Sequence, residues 1–133
     1  MTFPDREFDV VISSSVIEHV GGRDDQAAFA REVRRVGKAY YVQTPNLYFP
    51  VETHVHTPFF QFLSKKWQRR LVRNFTVRGL IERFPHSECD SLTYGINLLS
   101  RRDVAALFPD AEIIPEKAAG FTKSWIAFHR AIE

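Results

Sequence analysis

Residues 8–20 constrain the fold of this chain more than any other segment, because an apolar run there ends abruptly in polar side chains. Val10, Val11 and Ile12 are consecutive β-branched residues, and such a run without alternation is typical of a strand buried on both faces of a parallel sheet. Three serines and a Glu-His pair follow within residues 13–19. In open α/β sheets, ligands bind just beyond the carboxyl ends of the strands. The segment therefore predicts an α/β fold with a functional loop at residues 13–19.

The size and composition of the chain indicate a single small domain. Its 133 residues are 44% hydrophobic, which is enough for one core. The formal net charge of +2 implies no global attraction to polyanions. The one cysteine, Cys89, excludes an intramolecular disulfide and fits a reducing compartment. Because no apolar run is long enough to span a bilayer and residues 1–4 do not resemble a signal peptide, we expect one cytoplasmic domain over residues 1–133 and no membrane partner.

A strand-helix-strand unit is predicted at the start of the chain. Apolar residues recur at helical spacing from Phe29 to Val36, with Asp24 as a plausible N-cap and Gly37 as the stop. Residues 39–44 then form a second buried apolar strand. This spacing is that of a βαβ unit with parallel strands.

The remaining segments are predicted from periodicity and from start and stop signals. Ser100 and Asp103 form a capping-box pattern before a short apolar helix. Gly120-Phe121-Thr122 suits a hairpin-like connection between the last two strands. The predicted elements are an amphipathic helix at 59–75, an irregular stretch at 76–92 with a short helix at 77–84, a helix at 100–108, and strands at 111–115 and 124–129.

Two segments, in their order and spacing, resemble a known enzyme family. The first, at 3–20, has its Glu-His pair after a buried strand. The second, at 41–58, carries Thr-Pro-Asn, an aromatic residue, and Glu-x-His before a Pro-aromatic pair. They resemble the fourth and fifth strands, with the loops that follow them, of class I S-adenosylmethionine-dependent methyltransferases in the type 11/type 23 group. A weaker resemblance at 97–108 extends the similarity over most of the chain.

The resemblance implies a Rossmann-like methyltransferase sheet, whose seven strands lie in the order 3-2-1-4-5-7-6. This chain would supply the fourth to seventh strands with flanking helices, as a single domain at 1–133 that forms the truncated, carboxyl-terminal part of the fold. The family's glycine-rich turn and acidic ribose-binding residue have no counterpart, because the sequence contains 6 Gly and no Gly-x-Gly-x-Gly pattern. We therefore expect the chain alone to bind S-adenosylmethionine weakly or not at all.

The resemblance also implies roles for residues in the two loops, one beside the methionine end of the cofactor and one over the acceptor. The residues assigned to the cofactor are Ser13, Ser14, Ser15 and Glu18. Those assigned to a small-molecule acceptor are Asn46, Tyr48, Glu52 and His56. His19 and His54 would be catalytic, because methyl transfer needs aligned reactants and, for a nucleophile that carries a proton, a base. The alternative for His19 is a local role, in which it caps the following loop.

Two further patterns have alternative interpretations. Glu52, His54 and His56 could bind zinc or iron from an extended segment. The sequence offers no fourth ligand, however, and the resemblance accounts for Glu52 and His54 without a metal, so we expect none. A cluster of cations could contact phosphate or RNA, but it is more simply the solvated face of an amphipathic helix, and nucleic acid is not an expected partner. The clustered residues are Lys65, Lys66, Arg69, Arg70 and Arg73.

The sequence thus favours methyl transfer to a small-molecule acceptor by part of a class I methyltransferase. The alternative is a truncated, non-catalytic module that oligomerises and binds no cofactor. The strand at residues 9–14 has the apolar sequence of a central strand, but it would lie at an open edge of the sheet. An open edge can pair with another strand, most simply one from a second copy of this chain. We therefore expect a homodimer with the edge of residues 9–14, or the neighbouring apolar helix surface, in its interface.

Overall fold

The computed structural model describes residues 3–131. The strands are β1 (Phe8–Ser14), β2 (Gly37–Pro45), β3 (Val51–Glu52), β4 (Thr57–Pro58), β5 (Glu112–Ala118) and β6 (Phe121–His129). The α-helices are α1 (Arg23–Val36), α2 (Lys65–Leu71), α3 (Val77–Glu82), α4 (His86–Tyr94) and α5 (Arg101–Leu107), and 3-10 helices lie at Ile17–His19 and Phe60–Phe62. None of the described helices is long and apolar enough to cross a membrane.

Four of the strands form one mixed sheet in the order β1-β2-β6-β5. β1 and β2 are parallel, and their register places Ser14 beside Gln43. β6 runs antiparallel to both β2 and β5. With β1 and β2 as the fourth and fifth strands, this order is 4-5-7-6, which is the order expected from the resemblance. The predicted fold class is confirmed as a Rossmann-like α/β sheet with flanking helices.

Helix α1 makes the predicted crossover between the two parallel strands, but its first residue differs from the prediction. The N-cap is Gly22 rather than Asp24, and the Gly22 amide donates to the Asp25 carboxylate at 2.9 Å. The helix ends at Gly37 as predicted. A Cβ on Gly37 would lie 2.9 Å from Val11 Cγ2, so glycine lets the helix end pack closely on β1.

Two apolar clusters hold the fold together. The larger lies between one face of the sheet and the helices α1 and α5 and consists of Ile17, Ala30, Val33, Tyr40, Val42, Leu99, Val104, Phe108 and Ala127. The smaller joins α2, α4 and the loops around them and consists of Val55, Phe60, Val72, Phe84 and Cys89. Full burial of one such aliphatic or aromatic side chain contributes about 1.5–3 kcal/mol.

The prediction that the first strand is buried on both faces is wrong for the described chain. Val11 packs against the main core, but Val10 and Ile12 are 56% and 74% exposed. The reason is that side chains alternate between the two faces of a strand, and α1 covers only the face that carries Val11. Within residues 3–131, β1 pairs with β2 alone, so its other edge is open.

The region between β4 and α5 contains shorter helices than the sequence predicts. The expected helix at 59–75 is divided into the 3-10 helix Phe60–Phe62 and α2, and Phe59 before it has a left-handed backbone with φ of 58°. Helix α3 falls within the predicted segment 77–84. Helix α4 corrects the predicted irregular stretch at 76–92, which rested on weak periodicity, Gly79, Pro85 and several polar residues. The buried residues of this helix are Cys89 and Thr93.

The helix and the two strands predicted near the carboxyl terminus are present, but the strands are longer than predicted. β5 extends to Ala118 and β6 begins at Phe121, so Phe121 and Thr122 pair in the sheet rather than forming the connection. The Ser100 hydroxyl accepts a hydrogen bond from the Asp103 amide, and the Asp103 carboxylate accepts one from the Ser100 amide at 2.8 Å, which completes the capping box of α5. The strands β5 and β6 form a hairpin. Its turn residues Ala119 and Gly120 both have positive φ angles, as two-residue hairpin turns matching the strand twist require.

Candidate functional site

The loop that follows β1 directs one acidic side chain inward and the next residue outward. Ser15 has a left-handed backbone with φ of 52°, and its amide donates to the Gln43 carbonyl at 3.0 Å. The 3-10 helix Ile17–His19 begins directly afterwards. The Glu18 side chain is fully buried, whereas that of His19 is 43% exposed. Consecutive residues of this loop therefore reach both the protein interior and the open end of the sheet.

The buried Glu18 carboxylate is held by the end of the neighbouring strand. Thr44, the penultimate residue of β2, donates its hydroxyl to Glu18 Oε2 at 2.9 Å. The other oxygen, Oε1, has no hydrogen-bond partner within the described part of the chain. A buried carboxylate oxygen without a partner is unusual in folded proteins, and it marks this position as a place where a ligand can bind.

The β3–β4 hairpin holds His54 in a fixed orientation. Glu52 is 6% exposed. Its Oε2 accepts hydrogen bonds from the backbone amides of His54 and Val55, both at 2.8 Å. Its Oε1 lies 2.7 Å from His54 Nδ1. An ionised carboxylate only accepts hydrogen bonds, so Nδ1 carries the proton of this contact, and whenever the imidazole is neutral its lone pair is at Nε2.

The two loops meet at the carboxyl ends of β1 and β2. His54 Nε2 lies 3.3 Å from His19 Nε2, and the ring centroids are 5.0 Å apart. Glu18 Oε1 lies 3.9 Å from His19 Nε2. We call Glu18, His19 and His54 the Glu-His-His cluster; its three ligand-type atoms all lie within 4.8 Å of one another. The structure thus brings together both histidines that the sequence analysis assigned to catalysis.

The three serines assigned to the cofactor lie beside this cluster but differ in their surroundings. The Ser14 and Ser15 hydroxyls donate to Gln43 Oε1 at 2.7 and 3.3 Å. Ser13 is 7% exposed, and its hydroxyl finds no partner among residues 3–131. Among the described residues, Ser13 and Glu18 are therefore the assigned ones that carry a buried side-chain atom without a hydrogen-bond partner.

Asn46 and Tyr48 are not part of the cluster. The Asn46 amide nitrogen donates to the Thr122 carbonyl at 2.8 Å, and its amide oxygen accepts from the Tyr48 backbone amide at 3.1 Å. Tyr48 is 64% exposed and stacks on Phe62 with centroids 6.3 Å apart. Both residues line a separate surface hollow with Phe121 and Trp125. The segment that follows β2 therefore has two parts: a turn that Asn46 stabilises and the β3–β4 hairpin, which carries His54.

His56 is also separated from its sequence neighbours. It is exposed and occupies a turn with a left-handed backbone, φ 53°. Glu52, in contrast, is buried and uses its carboxylate to hold His54. The Glu-x-His-x-His segment thus does not present its three side chains as one set of ligands, because the turn after Val55 interrupts the extended backbone.

Two cavities adjoin the site, one on each side of the β3–β4 hairpin. The first, of about 390 Å³, is lined by Ser15, His19, Gln43, Thr53, His54 and Lys123, among others. The second, of about 210 Å³, lies behind the hairpin and is lined by polar residues that include Arg23, Glu52, Lys65 and Asn97. The imidazoles of His19 and His54 open into the first cavity.

Three residues of the site escaped the sequence analysis. Thr44 and Gln43 support the first loop, and the signal for them was their polar character at the end of a buried strand. Lys65 was assigned to a solvated face, but its ammonium group donates to the carbonyls of Thr93 and Ile96 at 2.5 and 3.0 Å. Burial lowers the pKa of Lys65 below its ordinary value. No local pattern distinguishes Lys65 from the neighbouring cations.

Comparison with protein families gives one match. Residues 1–39 match the family described as "Methyltransferase domain". This segment contains β1, the loop with Glu18 and His19, and α1. The match supports a class I methyltransferase domain for the part of the chain that supplies the first half of the site.

Two curated proteins of Mycobacterium tuberculosis are similar to part of this chain. They are "Uncharacterized protein Rv1509" of strain H37Rv and "Uncharacterized protein MT1557" of strain CDC 1551. Each is 31% identical over 70 residues, which is 53% of this chain and 23% of the relative. The chain therefore spans about a quarter of the length of the curated relatives it matches.

Proposed function

We propose that this chain forms the acceptor side of a methyl-transfer site that uses S-adenosylmethionine and a small-molecule acceptor. The observation that carries the proposal is the convergence of His19 and His54, 3.3 Å apart, at the carboxyl ends of two parallel strands. This is where open α/β sheets bind their ligands. The family match over residues 1–39 supports methyl transfer as the reaction class.

The residues of this chain fit only one end of the cofactor. The exposed side chains of the loop after β1, which include Ser14 and Ser15, offer polar contacts to the methionine end, whereas the hydroxyl of Ser13 is buried. The sequence contains no Gly-x-Gly-x-Gly turn for the adenosyl half. When bound, the cofactor supplies an electrophilic methyl group. We assign the adenosyl half to no residue of this chain, and we propose weak cofactor binding by the chain alone.

The hydrogen bonds of the site prepare His54 to accept a proton. Because Glu52 holds the proton on Nδ1, Nε2 of the neutral ring has a lone pair directed toward His19 and the cavity of about 390 Å³. A hydroxyl or amine acceptor bound there could transfer its proton to Nε2. Glu52 then acts as a positioning residue, since it touches His54 and not the acceptor.

Substitution of His54 by Ala tests this function. We expect methyl transfer from labelled S-adenosylmethionine, supplied at millimolar concentration with a panel of phenols and amines, to fall about 100-fold, the lower end of the usual contribution of a general base. The control is His86→Ala, which removes an exposed imidazole at the start of α4 and is expected to leave transfer unchanged. Equal transfer by the His54 variant and the wild type, or transfer by neither, would contradict the proposal.

The open edge of β1 favours a second candidate function, that of an interaction module. The face of β1 opposite α1 exposes Val10 and Ile12, and the register continues this face through Tyr41 and Phe128 on the neighbouring strands. Unpaired apolar edges recruit a further strand. We propose a second copy of this chain as the partner, since one edge can pair with its own equivalent about a two-fold axis.

A further inference from the structure

We propose that the Glu-His-His cluster binds a divalent transition-metal ion of the zinc or iron(II) class. The sequence predicts no metal, and the candidate ligands in the sequence are Glu52, His54 and His56. The structure replaces that set with Glu18, His19 and His54, which come from two loops that the parallel pairing of β1 and β2 brings together.

The distances suit a shared ion. Two donor atoms bound at about 2.05 Å to one tetrahedral ion lie about 3.3 Å apart. The two Nε2 atoms are 3.3 Å apart. Glu18 Oε1 lies 3.9 Å from His19 Nε2, and the ligand-type atoms of all three residues lie within 4.8 Å of one another, so binding of one ion requires the carboxylate and the imidazoles to move closer together.

The unpartnered carboxylate oxygen of Glu18 favours a bound metal ion over a hydrogen bond between the two histidines alone. A hydrogen bond between His19 and His54 would satisfy both rings, yet it would leave Glu18 Oε1 buried without a partner. Thr44 satisfies only Oε2 of this carboxylate, and a buried polar atom without a partner is costly. A cation among the three donors would satisfy all of them at once.

The residues behind the cluster resemble the supporting shell of a metal site. Histidine ligands commonly donate their other ring nitrogen to a carboxylate, which fixes the tautomer and the ring orientation. Glu52 holds His54 in this way at 2.7 Å. Thr44 likewise holds the second oxygen of Glu18 at 2.9 Å, so two of the three ligands are oriented in advance.

The donor set also indicates the class of metal. Two imidazoles and one carboxylate suit zinc, iron(II) and related ions, whereas magnesium and calcium prefer all-oxygen sites. Three protein ligands leave an open position, as in catalytic zinc sites, and the cavity of about 390 Å³ adjoins it. This role of the ion rests on the proposed function. The ion would bind the oxygen of the acceptor hydroxyl and lower the pKa of that hydroxyl. His54 would then act as a metal ligand, and the acceptor proton would not be transferred to it.

The protein is purified without a metal-affinity tag and treated with a chelator. It is then titrated with Zn(II), with calorimetry as the readout, and separately with Co(II), with visible absorption as the readout. We expect one equivalent bound per chain at micromolar or lower free metal. The Co(II) spectrum should show imidazole ligation and a coordination number below six. Magnesium at millimolar concentration should not compete. These readouts do not involve methyl transfer, so metal binding and the proposed function can fail separately.

Variants identify the ligands. Glu18→Gln, His19→Ala and His54→Ala should each weaken binding at least tenfold, and Glu52→Gln should weaken it about 10–100-fold through loss of ligand orientation. His86→Ala and His56→Asn should bind as the wild type does. The Co(II) spectrum of the wild type tests the site even if one variant fails to fold. Substoichiometric binding, competition by magnesium, or a loss that follows His56→Asn would overturn the proposal.

Discussion

Replacement of Glu52 by Ala is expected to lower the free energy of unfolding by about 2–5 kcal/mol, because a buried acceptor shared by three hydrogen-bond donors is removed. Glu52 accepts hydrogen bonds from the amides of His54 and Val55 and from the His54 ring. Alanine leaves both amides without this acceptor, at a cost of about 1–3 kcal/mol for each group that stays buried. Urea denaturation followed by circular dichroism measures the change.

Two variants separate this effect from a general loss of charge. Glu52→Gln keeps a carbonyl oxygen for the two amides, so a smaller loss of about 1 kcal/mol is expected. Glu112→Ala removes an exposed glutamate from β5 and should change stability by less than about 0.5 kcal/mol. If Glu52→Ala cost no more than Glu112→Ala, the hairpin would not be held by Glu52, and the orientation of His54 would lack its physical basis.

Replacement of Ile12 by Lys is expected to convert the proposed homodimer into a monomer. Ile12 is 74% exposed in the single chain, so the protomer should keep its stability. Burying an unpaired ammonium in a dimer interface costs several kcal/mol, and a loss of about 3 kcal/mol weakens association roughly 150-fold. Light scattering over a range of protein concentrations gives the mass of the wild type and of the variant.

Ile81→Lys is the matched control, because Ile81 is 78% exposed but lies on α3. The same substitution at the same degree of exposure should leave the dimer intact. A wild type that stays monomeric at every concentration, or a dimer that both variants disrupt equally, would remove the β1 edge from any interface between copies.

The four strands of the main sheet and the first helix could be predicted because their signals are local, whereas the two-residue strands β3 and β4 lie in a segment predicted to be a loop. The unbroken apolar run of β1, the apolar spacing of α1 and the capping box of Ser100 and Asp103 each follow from neighbouring residues, and the structure confirms these elements. The open face of β1 could not be predicted from the run itself. Burial of Val10 and Ile12 depends on which elements cover the sheet, and a short sequence window does not contain that information.

The candidate site could be predicted only in part, because some of its signals are local and others depend on how distant segments pack together. His19 and His54 could be singled out because each follows a predicted strand, and parallel strands end at one edge of the sheet. Their contact required Glu52 to turn inward and hold the His54 ring. If residues 52–56 were a regular extended strand, Glu52, His54 and His56 would lie on the same face of it. They do not, because the backbone turns at His56.

A titration of isotope-labelled protein with S-adenosylhomocysteine, followed by nuclear magnetic resonance, tests the central claim most directly. We predict millimolar binding, equivalent to about −4 kcal/mol. The shifted signals should be the amides of residues 13–19 and the imidazoles of His19 and His54, while adenosine at the same concentration leaves them unchanged because only the methionine end fits this chain. Signals that shift instead around Asn46 and Tyr48, or no shift at residues 13–19, would contradict a methyl-transfer site at the ends of β1 and β2.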